Sequence, residues 1–526
     1  MAKLFLGLDS STQSLSAVVI DLDTSKVVYE NSLNFDKALP SFKTHNGVLP
    51  GRDPLVKHSP PLLWAAALDL MFATMKKDKV ALGKIVAIGG CGQQHGSVYL
   101  NEKIVEALAN LNPKKSLVEN LDGMLARKTS PIWMDSSTAK ECAEIRKKLG
   151  GIKFTASRTG SDTFERFTGP QVRKFYKTEQ KAYEKTAHIA LVSSFLASLL
   201  AGQIAPIDFG DGAGTNLMDI RKKNWNHDAV KATAPSLINK LPPLADAGKV
   251  IGPVSSYFVQ KYGLNAEALA TVWTGDNPAS AVGLGLVKPG QVAISLGTSD
   301  TFFGTMQKCL TDENGEGHVF GSPAGDYMTL ICFKNGSFAR EKIREQYKIA
   351  DWKKFGALVD SAPVGNGGKI MIPWFDAEIV PRVSQPKVHR FNLDDKDVAG
   401  NCRAIFEAQM LSMRLHSQWM QVAPEKIHAT GGAANNPQLL QVMADVMNCP
   451  VLRIEVSKSA ALGSALAAAH GWLAHTGKNP KWDKLVAGFT KPVAGSEVHP
   501  EKKAAKLYDQ MLEKFASCES DALDVV

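Results

Sequence analysis

The sequence predicts an α/β protein of at least two domains. Three observations carry this. A chain of 526 residues exceeds what one hydrophobic core organises. It opens with an apolar strand, a short hydroxyl-rich turn and a second apolar strand, and the same order restarts at 291–305. Elsewhere, short apolar runs alternate with stretches of helical periodicity.

KLFLGLD at 3–9 reads as a strand, SSTQS as a polar turn, and LSAVVIDL and KVVYENSLNF as two further strands of an antiparallel meander. The Pro- and Gly-rich HNGVLPGRDPLVKHSPP is an irregular connection. LLWAAALDLMFATMKK has helical spacing, and IVAIGGCGQQHG is a buried strand entering a glycine-rich turn. Residues 140–200 read as mostly helical, and 201–250 as turn-rich, with GDGAGTN at 210–216. ATVWTGD is a short strand leading to the helix PASAVGLGLV, and the turn Val287-Lys288-Pro289-Gly290 marks the boundary between domains 1–288 and 289–526. QVAISLGTSDTFFGT then repeats the opening hairpin. RAIFEAQMLSMRLHSQWMQV is a long helix whose Met410, Met413 and Met420 suit a core. KIHATGGAANNPQLLQVMADVM is strand, glycine turn, helix, and SAALGSALAAAHGWLA is a helix of small residues. From about Pro500 an amphipathic helix leads into the acidic ESDALDVV.

The bulk chemistry is that of a soluble globular chain, 44% hydrophobic and 21% charged. Lys+Arg 61 against Asp+Glu 52 gives +9, but the longest basic runs are RKK at 146–148 and 221–223. This speaks against nucleic-acid binding and suits a small anionic ligand or a solvated surface. Seven irregularly spaced cysteines without C-x-x-C point to a reducing cytoplasm, not a disulfide scaffold or structural zinc. No signal-peptide pattern opens the chain, because Asp9 arrives too early, and the most apolar stretches are too short for a membrane span.

Three turns have the composition that cradles phosphate: DSSTQS at 9–14, GTSD at 297–300, and Gly431-Gly432 ahead of a helix. Small residues let backbone N–H groups approach phosphate oxygens, and hydroxyls add donors. Singly, each is also an ordinary hairpin or helix entrance. G-x-x-x-x-G-K-[ST] is absent, no G-x-G-x-x-G opens a βαβ unit, and His389-Arg390 continues as Phe, which removes P-loop, dinucleotide and protein-kinase readings. TGDNP at 274–278 raises a separate question. Asp is a good N-cap and Pro suits a first helical turn, so Asp276 serves as a helix cap, a catalytic carboxylate, or both.

LFLGLDSSTQS, WTGDNPAS, ISLGTSDT and ATGGAANN, in this order and spacing, resemble the FGGY carbohydrate kinases of the actin/hexokinase-like superfamily. CGQQHGSVY, PIWMDSST, ERFTG, LVSSFLASLLAG, CFKNGS and GNGG at 365–368 place the resemblance nearest the xylulose kinase branch of animal type. It runs from about residue 4 to about residue 475. The first turn departs from the Asp-x-Gly-Thr of many relatives, having Ser11 in place of glycine.

The resemblance implies two ribonuclease-H-like domains around a central cleft, the first for the sugar and the second for the nucleotide. It implies phosphate transfer from ATP, with Mg²⁺, to a ketopentose, D-xylulose first. Asp276 would be the general base and Asp9 the magnesium ligand. His95, Arg166, Asp276 and Asn277 would grip the sugar. Thr12, Thr298 and Ser299 would face the phosphates, while Gly431, Gly432, Asn435 and Asn436 would line the nucleotide site with Trp352 against adenine. A monomer or homodimer is implied, with no nucleic-acid or membrane partner.

Plainer readings stand beside these. His95 in a glycine-flanked turn suits a surface histidine, although Gln93-Gln94-His95 offers the mixed donors and acceptors a polyol needs. Arg166 suits a structural ion pair, and Trp133 and Trp352 suit packing. Ribulose, fuculose or glycerol are alternative acceptors, and an actin-like or chaperone-like ATP-driven binding protein is the alternative of another class.

Overall fold

The computed structural model describes residues 3–524. The chain forms two compact units. The first comprises the chain up to Val287 together with Val319–Met328 and Val456–Thr490. The second comprises Lys288–His318, Thr329–Glu455 and the chain from Lys491 onward. The chain thus changes unit at Val287/Lys288 and then returns twice to the first, which a single cut does not represent.

The first unit is built on a sheet ordered Val250–Pro253, Leu269–Thr271, Ile85–Gly92, Leu4–Ser10, Ser14–Asp21, Lys26–Asn34, with Thr274–Gly275 also pairing on Ile85–Gly92. The opening three strands are the antiparallel meander, and Leu4–Ser10 pairs in parallel with Ile85–Gly92. Strand periodicity of two divides the first strand between two cores. Leu4, Leu6 and Leu8 join Trp64, Leu68, Phe72, Phe195 and Leu199 from the helices Pro61–Lys77 and Val192–Ala201. Phe5 points the other way, with Val18, Ile20 and Ala87, onto Ala461, Leu462 and Ala465 of the helix Ser459–His475.

The small residues of that last helix have a direct cause. It lies so close to the helix Asp276–Gly283 that a Cβ on Gly463 would sit 1.9 Å from the carbonyl oxygen of Ala279. Any side chain there forces the helices apart.

The second unit repeats the scheme. Val292–Leu296 pairs antiparallel with Asp300–Met306 and parallel with Ile427–Thr430, which pairs in parallel with Val451–Arg453. The helices Val398–His416, Pro437–Met447 and Lys502–Asp524 belong to this unit. Met410 and Met413 are core residues of the long helix, and Met420, also buried, lies on the short turn Gln418–Met420 beyond it. The acidic end expected to trail from the final helix is itself helical as far as Asp524.

Candidate active site

The register of the first sheet assembles a polar site at its strand ends. Asp9 and Thr274 both pair with Cys91, on either side of Ile85–Gly92, so the strand end carrying Asp9 and the chain leading to Asp276 flank one central strand. Residues Gln93 to His95 continue directly from that strand.

Asp276 is not the N-cap. Gly275 occupies the cap in an extended conformation without a side-chain bond, and Asp276 is the first helical residue. Its Oδ1 accepts from the backbone N–H of Asn277 at 2.9 Å, from Asn277 Nδ2 at 3.2 Å and from the N–H of Gln94 at 3.3 Å. Asn277 Nδ2 also donates to Gln94 Oε1 at 2.9 Å. The contacts at Oδ1 hold the carboxylate in one orientation. A helix N-terminus favours an ionised carboxylate. Burial, reinforced by the negative charge of Asp9, instead lifts its pKa to about 7. One side of the residue remains open to water, which screens part of that effect.

Asp9, one residue before the end of its strand, is buried and accepts from Ser11 Oγ at 2.7 Å and from Cys91 Sγ at 3.4 Å. Burial raises its pKa too, against the lowering effect of these two donors. Both donors are neutral, so Asp9 has no cation to offset its charge in these contacts. Such a carboxylate, beside a second one, fits a hard divalent ion, which takes one or two carboxylates plus phosphate and water. No group of three or more His, Cys, Asp or Glu suited to a metal occurs among the described residues.

His95 is buried, with a left-handed backbone at φ +72°. Its Nδ1 lies 2.7 Å from the carbonyl oxygen of Gly214, and its ring stacks on Phe167 with centroids 4.3 Å apart. Burial, helped by the positive charge of Arg166, depresses the imidazole pKa to about 3, so the ring is neutral. The Arg166 guanidinium lies over Phe164 and Phe167, 5.1 and 5.7 Å from the ring centroids. His95 is therefore no surface histidine, and it shares Phe167 with Arg166.

Several contributors carried no recognisable signal. Asp208 caps the short helix Phe209–Ala213 and accepts from Thr274 Oγ1 at 2.8 Å, two residues ahead of Asp276. Asp211 is buried, accepts from Ser193 Oγ, and has a pKa pushed well up by burial and by Asp208. GDGAGTN was legible only as a turn, and nothing local announces that it supplies the carbonyl under His95. Both amide atoms of Gln93, Nε2 of Gln94 and Oδ1 of Asp211 are buried without partners among the described residues. Buried polar atoms left without partners call for an explanation, and a bound polar ligand supplies one.

Thr12 lies in the first hairpin turn, where its hydroxyl accepts from Trp133 Nε1 at 2.7 Å. Trp133 is 46% exposed, so neither simple core packing nor a bare surface ring describes it.

The second unit holds a cavity of about 680 Å³ lined by Thr298, Arg340, Trp352, Gly432, Asn435 and Asn436, among others. This volume is within the ordinary range of small-molecule sites. Ser299 and Gly431 lie beside the lining without joining it. Gly431 has φ +90°, and a Cβ there would meet the Leu296 carbonyl oxygen at 2.5 Å, so glycine is required. The helix expected straight after Gly431-Gly432 begins later. A 3₁₀ turn, Gly432–Asn435, intervenes, and Asn436 caps Pro437–Met447 by accepting from the N–H of Leu439 at 2.9 Å. Trp352 opens the helix Trp352–Ser361, its ring 5.4 Å from the Arg344 guanidinium.

Two repeated sheet-and-hairpin units, a carboxylate-centred polar site in one and a glycine-bordered cavity in the other, define a two-domain α/β sugar kinase. The chain belongs to the FGGY family of carbohydrate kinases, matching that family's N-terminal domain over residues 125–283 and its C-terminal domain over 292–472. The actin-like or chaperone-like alternative is thereby overturned. The chain is 39% identical to the xylulose kinase of Rattus norvegicus over 98% of this chain and 97% of the relative. It is 41% identical to xylulose kinase 2 of Arabidopsis thaliana over 89% and 87% of the respective chains. The fold matches the crystal structure of xylulose kinase from Rhodospirillum rubrum with a TM-score of 0.83, at 20% identity and 99% coverage of both chains. Glycerol kinase from Plasmodium falciparum, solved with ADP, matches with a TM-score of 0.78 at 16% identity, covering 98% of each chain. Among the described residues, no helix is long and apolar enough to cross a membrane.

Proposed function

We propose that this sugar kinase phosphorylates a ketopentose, D-xylulose, at the expense of ATP with Mg²⁺. The observation that carries the substrate is the likeness to xylulose kinases over nearly the whole of both chains. The unpartnered amide atoms of Gln93 and Gln94 support it, since each sugar hydroxyl both donates and accepts.

In this reading Asp276 is the general base. Its Oδ2 orients the reacting hydroxyl and takes its proton as the bond to phosphorus forms. A base poised near neutrality takes a proton in the transition state and gives it up afterwards. Asn277 and Gln94 keep Oδ1 occupied so that the other oxygen faces the sugar. His95, neutral and donating through Nδ1 to Gly214, offers Nε2 as an acceptor for a second hydroxyl, and Arg166 supplies a donor beside it. Asp9 would hold Mg²⁺, directly or through water, and the ion neutralises charge on the phosphates. Thr12 in the first hairpin, with Thr298 and Ser299 in the second, faces those phosphates. The cavity bordered by Gly431 and Gly432 takes the nucleotide, with Asn435 and Asn436 at its edge and Trp352 against the base.

We assign sugar binding to the first domain and nucleotide binding to the second. A cytoplasmic setting and a monomer or homodimer complete the proposal, and all seven cysteines being free thiols fits that setting. The test is coupled ADP detection with D-xylulose, ribulose, fuculose and glycerol, with Mg²⁺ and then EDTA. D-Xylulose should give the highest kcat/KM and EDTA should abolish turnover. A higher value with another acceptor transfers the assignment to that sugar.

A further inference from the structure

We propose that Arg340 is a positioning residue for the phosphate-facing hairpin turn Gly297–Ser299, acting through Asp300 and held in place by Gln409. This rests on the reading that the turn holds the donor's phosphates.

Asp300 directly follows the turn, and its carboxylate faces inward. Its two oxygens accept from the two terminal nitrogens of Arg340 at 2.7 and 2.9 Å, and the two side chains are only 1% and 2% exposed. The same guanidinium donates to Gln409 Oε1 at 2.7 Å and to Ser337 Oγ at 2.7 Å. Gln409, on the helix Val398–His416, spends its own amide N–H groups on the carbonyls of Asn335 and Gly336, at 2.7 and 2.9 Å. Ser337 closes the circuit, its backbone N–H donating to the carbonyl oxygen of Gly297 at 2.9 Å. Both ends of the turn are thus tied to one buried cation.

Stability alone is a poor reason for this arrangement. Removing two charges from water costs about as much as their attraction returns, and apolar substitutes often serve as well. A planar fork gripping a planar carboxylate does fix direction, which an apolar contact does not. Although Arg340 borders the cavity, its two terminal nitrogens are committed to protein acceptors. Its influence on a phosphate therefore runs through the geometry of Thr298 and Ser299.

The test compares ATP with AMP, which shares the nucleoside and lacks the terminal phosphates. Both affinities are measured by titration calorimetry on the full chain with Mg²⁺, for wild type, Arg340→Lys and Gln409→Met. Arg340→Lys keeps the charge and loses the fork. It should weaken ATP binding about tenfold while AMP and D-xylulose binding change less than about twofold. Gln409 does not line the cavity, so Gln409→Met touches the nucleotide only through this brace, and it reports even if Arg340→Lys does not fold. It should lower the ATP-to-AMP affinity ratio in the same direction by a smaller factor. A ratio unchanged in the folded variants, whether both affinities fall together or neither moves, overturns the proposal and leaves the pair structural. A wild type binding ATP no more tightly than AMP overturns the phosphate assignment of the turn itself, and the proposal with it.

Discussion

His95 Nδ1 and the Gly214 carbonyl oxygen, 2.7 Å apart, settle the tautomer of the buried imidazole. A carbonyl only accepts, so Nδ1 carries the hydrogen and Nε2 is the acceptor. A left-handed backbone at a non-glycine residue costs about 1–3 kcal/mol, and it persists here because the Gly214 bond and the Phe167 stack both require that ring position.

His95→Asn tolerates the same backbone and loses the acceptor. KM for D-xylulose should rise roughly 5- to 100-fold, the cost of leaving a buried sugar hydroxyl unpaired, while KM for ATP stays within about twofold. Steady-state kinetics in both substrates check this. Equal rises in the two KM values would mean that the residue supports the fold instead of the sugar.

The pH dependence follows from Asp276. With its carboxyl pKa lifted to about 7, the proposed base is protonated below that pH and competent above it. kcat/KM should therefore rise about tenfold per unit below pH 7 and level off above. The stability effect has the opposite sign. A carboxyl whose folded pKa exceeds its unfolded value is penalised once the unfolded chain ionises, so the penalty grows from about pH 4 to about pH 7 and persists above. Asp276→Asn should remove it, raising stability at pH 8 by about 1–3 kcal/mol after allowance for solvent screening, and by nothing at pH 4. Urea unfolding at the two pH values reads both.

Asp9→Asn removes a negative charge next to Asp276 and the proposed metal ligand. The Mg²⁺ concentration for half-maximal turnover should rise at least about tenfold, and the kinetic pKa assigned to Asp276 should fall, because the like charge that helped raise it is gone. A magnesium titration and a pH profile of the same variant check the two halves independently.

Gly431→Ala should disrupt the nucleotide side alone. With φ at +90° and the Leu296 carbonyl oxygen 2.5 Å from the added Cβ, the substitution strains the backbone and displaces the strand that ends at the hairpin proposed to face phosphate. ATP affinity should drop about tenfold or more with D-xylulose affinity retained, measured by titration of each ligand.

Local chemistry made the two hairpins, the role of Gly431 as a tight turn and the polar character of Gln93-Gln94-His95 legible in the sequence. Those signals lie within a few residues of one another. What stayed hidden depends on pairing across hundreds of positions. The helix Ser459–His475 reads as close-packing, but nothing local says that it lies against the strand holding Gly7 and the helix starting at Asp276. Asp208 bonds Thr274, sixty-six residues on, and Arg340 reaches Asp300 from a different element. Of the two readings left open for Asp276, the helix cap is the one the structure does not show. Gly275 can occupy a cap without a side-chain bond, which frees Asp276 to turn its carboxylate toward Gln94.

The central claim is that one carboxylate at position 276 receives the proton of the sugar hydroxyl. Asp276→Asn tests it most directly, because asparagine retains an oxygen to accept from Gln94 and Asn277 and should leave the fold in place. Measured with saturating ATP, Mg²⁺ and D-xylulose, kcat should fall by about 10²–10⁴ while the protein still binds the sugar. Turnover close to the wild-type rate in a folded, sugar-binding variant would contradict the account.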